Sequence, residues 1–271
     1  MSIKSSMWLQ YQIDANWTTP FVFVVYNIIR PVGASLLLIA MFYVVTGGYM
    51  GGDSLAYLYV GNAFFMLLSQ TLFFIGWVVH DDREHYQTLK YVYISPMSYF
   101  KYLIGRSAMR FMLSGFALLV LMIMGIFFKI PYNFDWLLLM AVFIVGWIFV
   151  IGAGLVLSGI NMLTARHGGA VGEALAGIFY LLSGAIFPLV VLPVWARRFS
   201  LMLPSTYWFS LVRRAVLGFE SESLMSQYSL MEVILYPLAI SLLLLFLSFI
   251  MFLGVDYLTR KKGLLDMTTT Y

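Results

Sequence analysis

Apolar residues in this chain gather into long blocks that no charge interrupts. Leu55 to Val79 runs twenty-five residues without Lys, Arg, Asp, Glu or His, and comparable blocks lie at 31–48, 111–128, 136–165, 174–192 and 233–255. A helix needs about 20 mostly apolar residues to cross the hydrocarbon core, so the pattern predicts six transmembrane helices at these positions, with the second at 55–79. Pro31 opens the first block, where its missing N–H costs nothing. Gly47, Gly48, Gly51, Gly52 and Asp53 predict the first turn, while Lys129 to Asp135 and Arg166 to Glu173 join the middle blocks.

Three segments depart from this pattern. Near the N-terminus, Ile3, Met7, Tyr11 and Ala15 recur at i+4 beside Lys4 and Asp14, with Trp8 and Trp17 suited to the headgroup zone. That predicts an interfacial helix. In the polar segment 80–106, Tyr86, Leu89 and Tyr93 share one face of a short helix that Ser95-Pro96 ends. Such a helix is too short to cross and too apolar on one side to stay bare, so it should dock on membrane or on a partner protein. In 193–218, Pro193 and Pro204 bracket the start of an uncharged run, Phe199 to Val212, of only fourteen residues. This predicts an outer re-entrant helical hairpin, whose freed backbone must be buried in protein or face water.

Composition narrows the class. The 271 residues are 62% hydrophobic and 10% charged, against about a quarter charged in soluble domains, which excludes a water-soluble fold. The chain has no cysteine, so it has no disulfides or thiolate metal sites. A net charge of +4 gives no ground for a nucleic-acid partner. With both termini cytoplasmic, five of the sixteen basic residues (Lys129, Arg197, Arg198, Arg213 and Arg214) fall in outer segments, and the rest fall inside. The positive-inside bias therefore predicts a multi-pass protein of the cell membrane with cytoplasmic termini.

The absent motifs matter as much. No G-x-x-x-x-G-K-[ST] phosphate loop occurs, so ATP hydrolysis by that route needs another subunit. The run His80-Asp81-Asp82-Arg83-Glu84-His85 admits two readings: a metal or diphosphate site of a membrane enzyme acting on a lipid diphosphate, or a solvated helix end. An ion-coupled secondary transporter is the other alternative. It would place charges mid-membrane and broken helices in both halves, whereas here charges avoid the span centres and the proline breaks at Pro188, Pro193 and Pro204 cluster in one half.

Two motif blocks resemble the ABC-2 type transporter permeases. In the first, Glu84, Thr88, Leu89, Ser95, Pro96, Gly105 and Arg106 fit the family's first intracellular loop, a glutamate followed by Gly-Thr-Leu-Glu, Ser-Pro and Gly-Arg. Gln87 stands for the family's glycine there, and Lys90 for its glutamate. In the second block, Ser183, Gly184, Phe187, Pro188, Leu192, Pro193, Leu203, Pro204, Tyr207, Arg213, Arg214 and Gly218 fit its Ser-Gly, Phe-Pro, Leu-Pro, Pro-x-x-Tyr and Arg-Arg series.

The resemblance implies a single ABC-2 transmembrane domain over 1–271, paired with a second copy or a related permease in the lipid bilayer. It also implies a separate ABC-type nucleotide-binding subunit, which carries ATP and Mg; this chain would hold no cofactor. The expected ATPase-subunit interface is Glu84, Tyr86, Thr88, Leu89, Lys90, Tyr93, Pro96 and Arg106, with Tyr86, Leu89 and Tyr93 as its apolar part. The expected outer gate is Phe187, Pro188, Pro193, Pro204, Tyr207, Arg213 and Arg214, the two arginines either capping helix ends or attracting anionic groups. The second and fifth spans would face the dimer axis, which makes Asn62, Phe65, Gln70 and Tyr180 the expected substrate path. An aromatic, weakly charged path suits an amphipathic drug or lipid; the alternative is that these residues only join helices.

Overall fold

A computed structural model of the chain describes residues 2–16, 19–49, 51–163, 168–220 and 224–263, with the backbone alone at 20, 168–173, 260 and 262. Every regular element among the described residues is helical. In order these are α1 (Ile3–Ala15), α2 (Pro20–Val45), α3 (Asp53–His80), α4 (Leu89–Ile94), α5 (Tyr99–Phe127), α6 (Trp136–Leu163), α7 (Gly168–Leu182), α8 (Val194–Ser200), α9 (Pro204–Leu217) and α10 (Leu230–Lys262). Trp17 and Arg166 lie outside the described residues, as does the side chain of Glu173.

Five helices among the described residues are long and apolar enough to cross a membrane: Phe21–Val45, Asp53–His85, Tyr99–Phe127, Trp136–Leu163 and Leu230–Thr259. The first expected boundary, 31–48, is corrected by the structure. Helix α2 begins eleven residues earlier and passes through Pro31, which leaves the Asn27 carbonyl without its helical donor. The third boundary, 111–128, moves as well, because α5 starts at Tyr99 and carries Arg106 and Arg110 within it. Those charges are tolerated because both have acidic partners, Asp82 for Arg106 and Asp14 for Arg110. The block at 174–192 is not one helix: α7 stops at Leu182, and a bent segment leads through Pro188 to a single 3₁₀ turn at Leu189–Val191. At 1.5 Å per residue, the 15 residues of α7 reach about 22 Å, less than the hydrocarbon thickness of about 30 Å.

Helix α3 forms the centre, packed by α5, α6, α7 and α9. Small residues bring α6 close to it. A Cβ on Gly154 would lie 2.8 Å from the Ile75 side chain, and the backbones approach so nearly that Ser158 Oγ donates to the Ile75 carbonyl at 2.5 Å. Asn161 Nδ2 donates to the Gly76 carbonyl at 2.6 Å. Helix α9 is buried over most of its length; Trp208 fills the space above Gly146 and donates to the Val142 carbonyl at 2.8 Å. Lipid offers no hydrophobic drive between helices, so this close packing and these hydrogen bonds carry the association.

Candidate functional site

Helices α2, α3 and α7 enclose a groove between them. Its part nearer α1 is a cavity of about 630 Å³ whose walls include Asp14, Arg30, Asp81, Arg106 and Arg110 together with Phe73, Phe74 and Trp77. Its other part, of about 740 Å³, is walled by Leu37, Leu38, Met41, Phe42, Val45 and Phe187. Arg30, Phe65, Ser69, Gln70 and Tyr180 line both, so the two volumes adjoin. Charged at one end and apolar at the other, the groove matches an amphiphile in polarity.

All four residues expected on a substrate path lie on this groove. Phe65 and Tyr180 meet across α3 and α7 with ring centroids 4.5 Å apart, at the junction of the two volumes. Gln70 stands half-buried beside them. Asn62 is both on the wall and a helix tie, since its Nδ2 donates to Ser35 Oγ at 3.2 Å. Pattern reading missed Arg30, Gln10 and Asp14 here; only the breaking of the apolar run at Arg30-Pro31 marked one of them.

At the charged end, α1, α5 and the π-helical turn Asp81–His85 that continues α3 are joined by a buried polar network. Asp82 is fully buried, at 0% exposure, and pairs with the Arg106 guanidinium, itself 1% exposed. The carboxylate also accepts from the hydroxyls of Thr88 at 3.2 Å, Tyr99 at 3.2 Å and Tyr102 at 3.3 Å. Arg106 in turn donates from Nε to Gln10 Oε1 of α1 at 2.6 Å and from Nη1 to the Tyr102 hydroxyl at 2.9 Å. Next to it, Arg83 reaches across to the Asn161 carbonyl of α6 at 3.1 Å, with Glu84 3.9 Å from its Nε. The acidic run at 80–85 is therefore divided: Asp82 faces Arg106, whereas His85 is exposed beside Tyr86. Among the described residues no group of three metal-ligating side chains forms.

The segment between α3 and α5 presents a different face from the expected one. Helix α4 starts at Leu89, so Tyr86 precedes it. Leu89 is 1% exposed, and the Tyr93 hydroxyl turns to Met162 Sδ at 3.5 Å; both pack within the chain. The outward side is made by Tyr86, Tyr91, at 65% exposure, and Ile94, at 82%, with Lys90 and Pro96 also exposed. Thr88 and Arg106 are engaged by Asp82, and Glu84 is turned to Arg83. Partial burial, with the charge of Asp81 second, raises the pKa of the Tyr86 hydroxyl, which stays a neutral donor. Gln87 adopts φ +50, a left-handed conformation that favours glycine, at the position where the permease pattern has one.

At the far end, arginines hold the interrupted chain after α7. Arg213, 2% exposed, donates to the Gly184 and Ala185 carbonyls and lies 3.5 Å above the Tyr57 ring centroid. The Tyr57 hydroxyl donates to the same Gly184 carbonyl at 2.8 Å. Arg214 donates to the Met225 and Tyr228 carbonyls at 2.8 and 3.1 Å, and Arg197 donates to those of Leu189, Val190 and Leu192. These side chains supply donors to backbone carbonyls of the non-helical or short 3₁₀ stretches that follow α7 and α9. Pro204 is the first residue of α9, and Tyr207 is buried against Tyr236, its centroid 4.3 Å away. Phe187, Pro188 and Pro193 are exposed, Phe187 on the groove wall.

The sequence profile described as ABC-2 type transporter matches residues 4–217. No curated protein gives a significant match.

Proposed function

The chain belongs to the ABC-2 type transporter family and is a membrane transport permease, and from that premise we propose that it is the permease subunit of an ATP-driven exporter. The observation that carries the reading is the groove between α2, α3 and α7, charged at one end and apolar at the other. We assign it as one half of a path for an amphipathic substrate, a drug or a lipid, which a second copy or a related permease completes.

In this reading the termini and the 81–98 segment are cytoplasmic, α1 lies in the membrane interface, and the 183–217 segment re-enters from the outer side as a gate. Together with α7 it completes the sixth crossing. An ABC-type subunit carrying ATP and Mg docks on Tyr86, Lys90, Tyr91, Ile94 and Pro96. Its movement on ATP binding passes to the bundle through Asp82 and Arg106, which join the docking segment to α1 and α5. A buried pair of this kind moves as one body with the helices it joins, which suits rigid-body rocking.

The test is Tyr91→Asp with Ile94→Asp in the chain assembled with its ATP-binding subunit. Both side chains are exposed, so the fold is retained while docking and transport fall together. Unchanged copurification of the ATPase and unchanged ATP-driven transport in that variant would refute the docking assignment.

A further inference from the structure

The charged end of the groove contains more hydrogen-bond donors than the protein uses. Gln10 Nε2, Arg106 Nη2 and Arg110 Nε are each buried without a partner, and all three residues line the same cavity of about 630 Å³. Gln10 and Arg106 are almost wholly buried, at 0% and 1% exposure. A desolvated guanidinium N–H without an acceptor is costly, and it is worth most when an ionised oxygen fills the position. Arg106 is oriented by Asp82, Tyr102 and Gln10, which occupy Nη1 and Nε and leave Nη2 for a further acceptor. Arg110 is held only loosely, 3.5 Å from Asp14 Oδ2, and Arg30 adds a third, exposed cation where the cavity meets the apolar part of the groove.

We propose that this end of the groove is a binding subsite for the phosphate of an amphiphile, with Arg106, Arg110 and Gln10 donating to its oxygens, Arg30 at the entrance and the apolar tail along α2 toward Val45. The proposal rests on the transport reading above and names the headgroup class of its substrate. The cavity's own acids limit the charge it accepts. Asp14 and Asp81 also line it, so a phosphodiester with one negative charge, alone or balanced by an ammonium group, fits better than a dianionic monoester. From Pro31 to Val45 the helix offers 15 residues, about 22 Å, along which an acyl chain can lie.

The probes are dioctanoyl phosphatidylglycerol, dioctanoylglycerol and inorganic phosphate, titrated calorimetrically into the full chain in a neutral maltoside detergent. The phosphatidylglycerol should bind at least about tenfold more tightly than the uncharged dioctanoylglycerol, the value of one charge-assisted hydrogen bond. Arg30→Gln with Arg110→Gln should bring the two within about twofold. Asp14→Asn, which frees Arg110 and removes a negative charge, should tighten phosphatidylglycerol binding severalfold; a folding defect cannot produce that gain. Full competition by inorganic phosphate at equal concentration would make the ligand a soluble oxyanion and overturn the amphiphile assignment, whereas persistence of phosphatidylglycerol binding under it supports a lipid source. Equal binding of the two lipids by the wild type, or no gain in Asp14→Asn, overturns the proposal. If that happens while ATP-driven transport persists, only the headgroup assignment falls; loss of the transport reading would show instead as absence of coupling to an ATPase.

Discussion

Removing the Asp82 carboxylate should unseat the α1–α3–α5 junction more severely than removing both charges of its ion pair. Asp82→Ala leaves the Arg106 guanidinium in a site where the residue is 1% exposed, with Gln10 and Tyr102 as its remaining hydrogen-bond partners. Stranding a buried charge in this way costs about 3–5 kcal/mol. Arg106→Met should cost less, because the carboxylate it leaves still accepts from Thr88, Tyr99 and Tyr102. The double variant has no stranded charge, so its loss should be smaller than that of Asp82→Ala alone. The resulting coupling energy should be about 2–3 kcal/mol, the upper part of the range for residues in contact. Equilibrium unfolding of the four proteins by SDS in mixed micelles, followed by circular dichroism, measures it. Additivity within about 0.5 kcal/mol would refute the reasoning, since it would mean that the two groups do not share one desolvated site.

Gln87→Gly should stabilise the chain by about 0.5–1 kcal/mol in the same assay, because it removes a left-handed strain of roughly 1–2 kcal/mol at φ +50 while adding unfolded-state freedom. Leu89→Asp should lower the unfolding free energy by about 3 kcal/mol or more for a carboxylate placed at a site 1% exposed, whereas Ile94→Asp, at 82% exposure, should leave it unchanged. Trp208→Ala should cost about 3–5 kcal/mol by opening a cavity against Gly146 and freeing the Val142 carbonyl. Arg213→Met should loosen the segment from Gly184 to Phe187, seen as faster amide exchange there, with Tyr57→Phe producing a smaller change in the same amides.

The periodic parts of the fold are legible in the sequence because a lipid-facing helix needs an uninterrupted apolar run. Helices α3, α6 and α10 accordingly fall close to the blocks at 55–79, 136–165 and 233–255. Boundaries shift where a charge is neutralised by tertiary contact. Nothing local to Arg106 announces that Asp82, twenty-four positions earlier, allows α5 to begin at Tyr99. The same blindness affects the outward side of the segment between α3 and α5. A helical period ranks Tyr86, Leu89 and Tyr93 together, but the start of α4 at Leu89 and the contact of Tyr93 with Met162 send two of them inward and leave Tyr91 and Ile94 outside. Asn62, Phe65, Gln70 and Tyr180, expected on a path from their polar and aromatic side chains inside apolar spans and from the resemblance, lie on the groove wall. Arg30 and Gln10 were missed because the groove that joins them to Phe65 and Tyr180 exists only once α1, α2 and α7 pack on α3.

In the proposed reading, this permease moves an amphipathic substrate under the control of a separate ATP-hydrolysing subunit. Inverted membrane vesicles containing the chain and its ATP-binding subunit, with a fluorescent short-chain phosphatidylglycerol inserted in their outward-turned cytoplasmic leaflet, test this by its transfer to the lumenal leaflet. Translocation should require ATP hydrolysis, stop with vanadate, survive collapse of the ion gradients, and be lost in Tyr91→Asp with Ile94→Asp. Translocation that proceeds without ATP hydrolysis and disappears when an ionophore removes the gradients would contradict it.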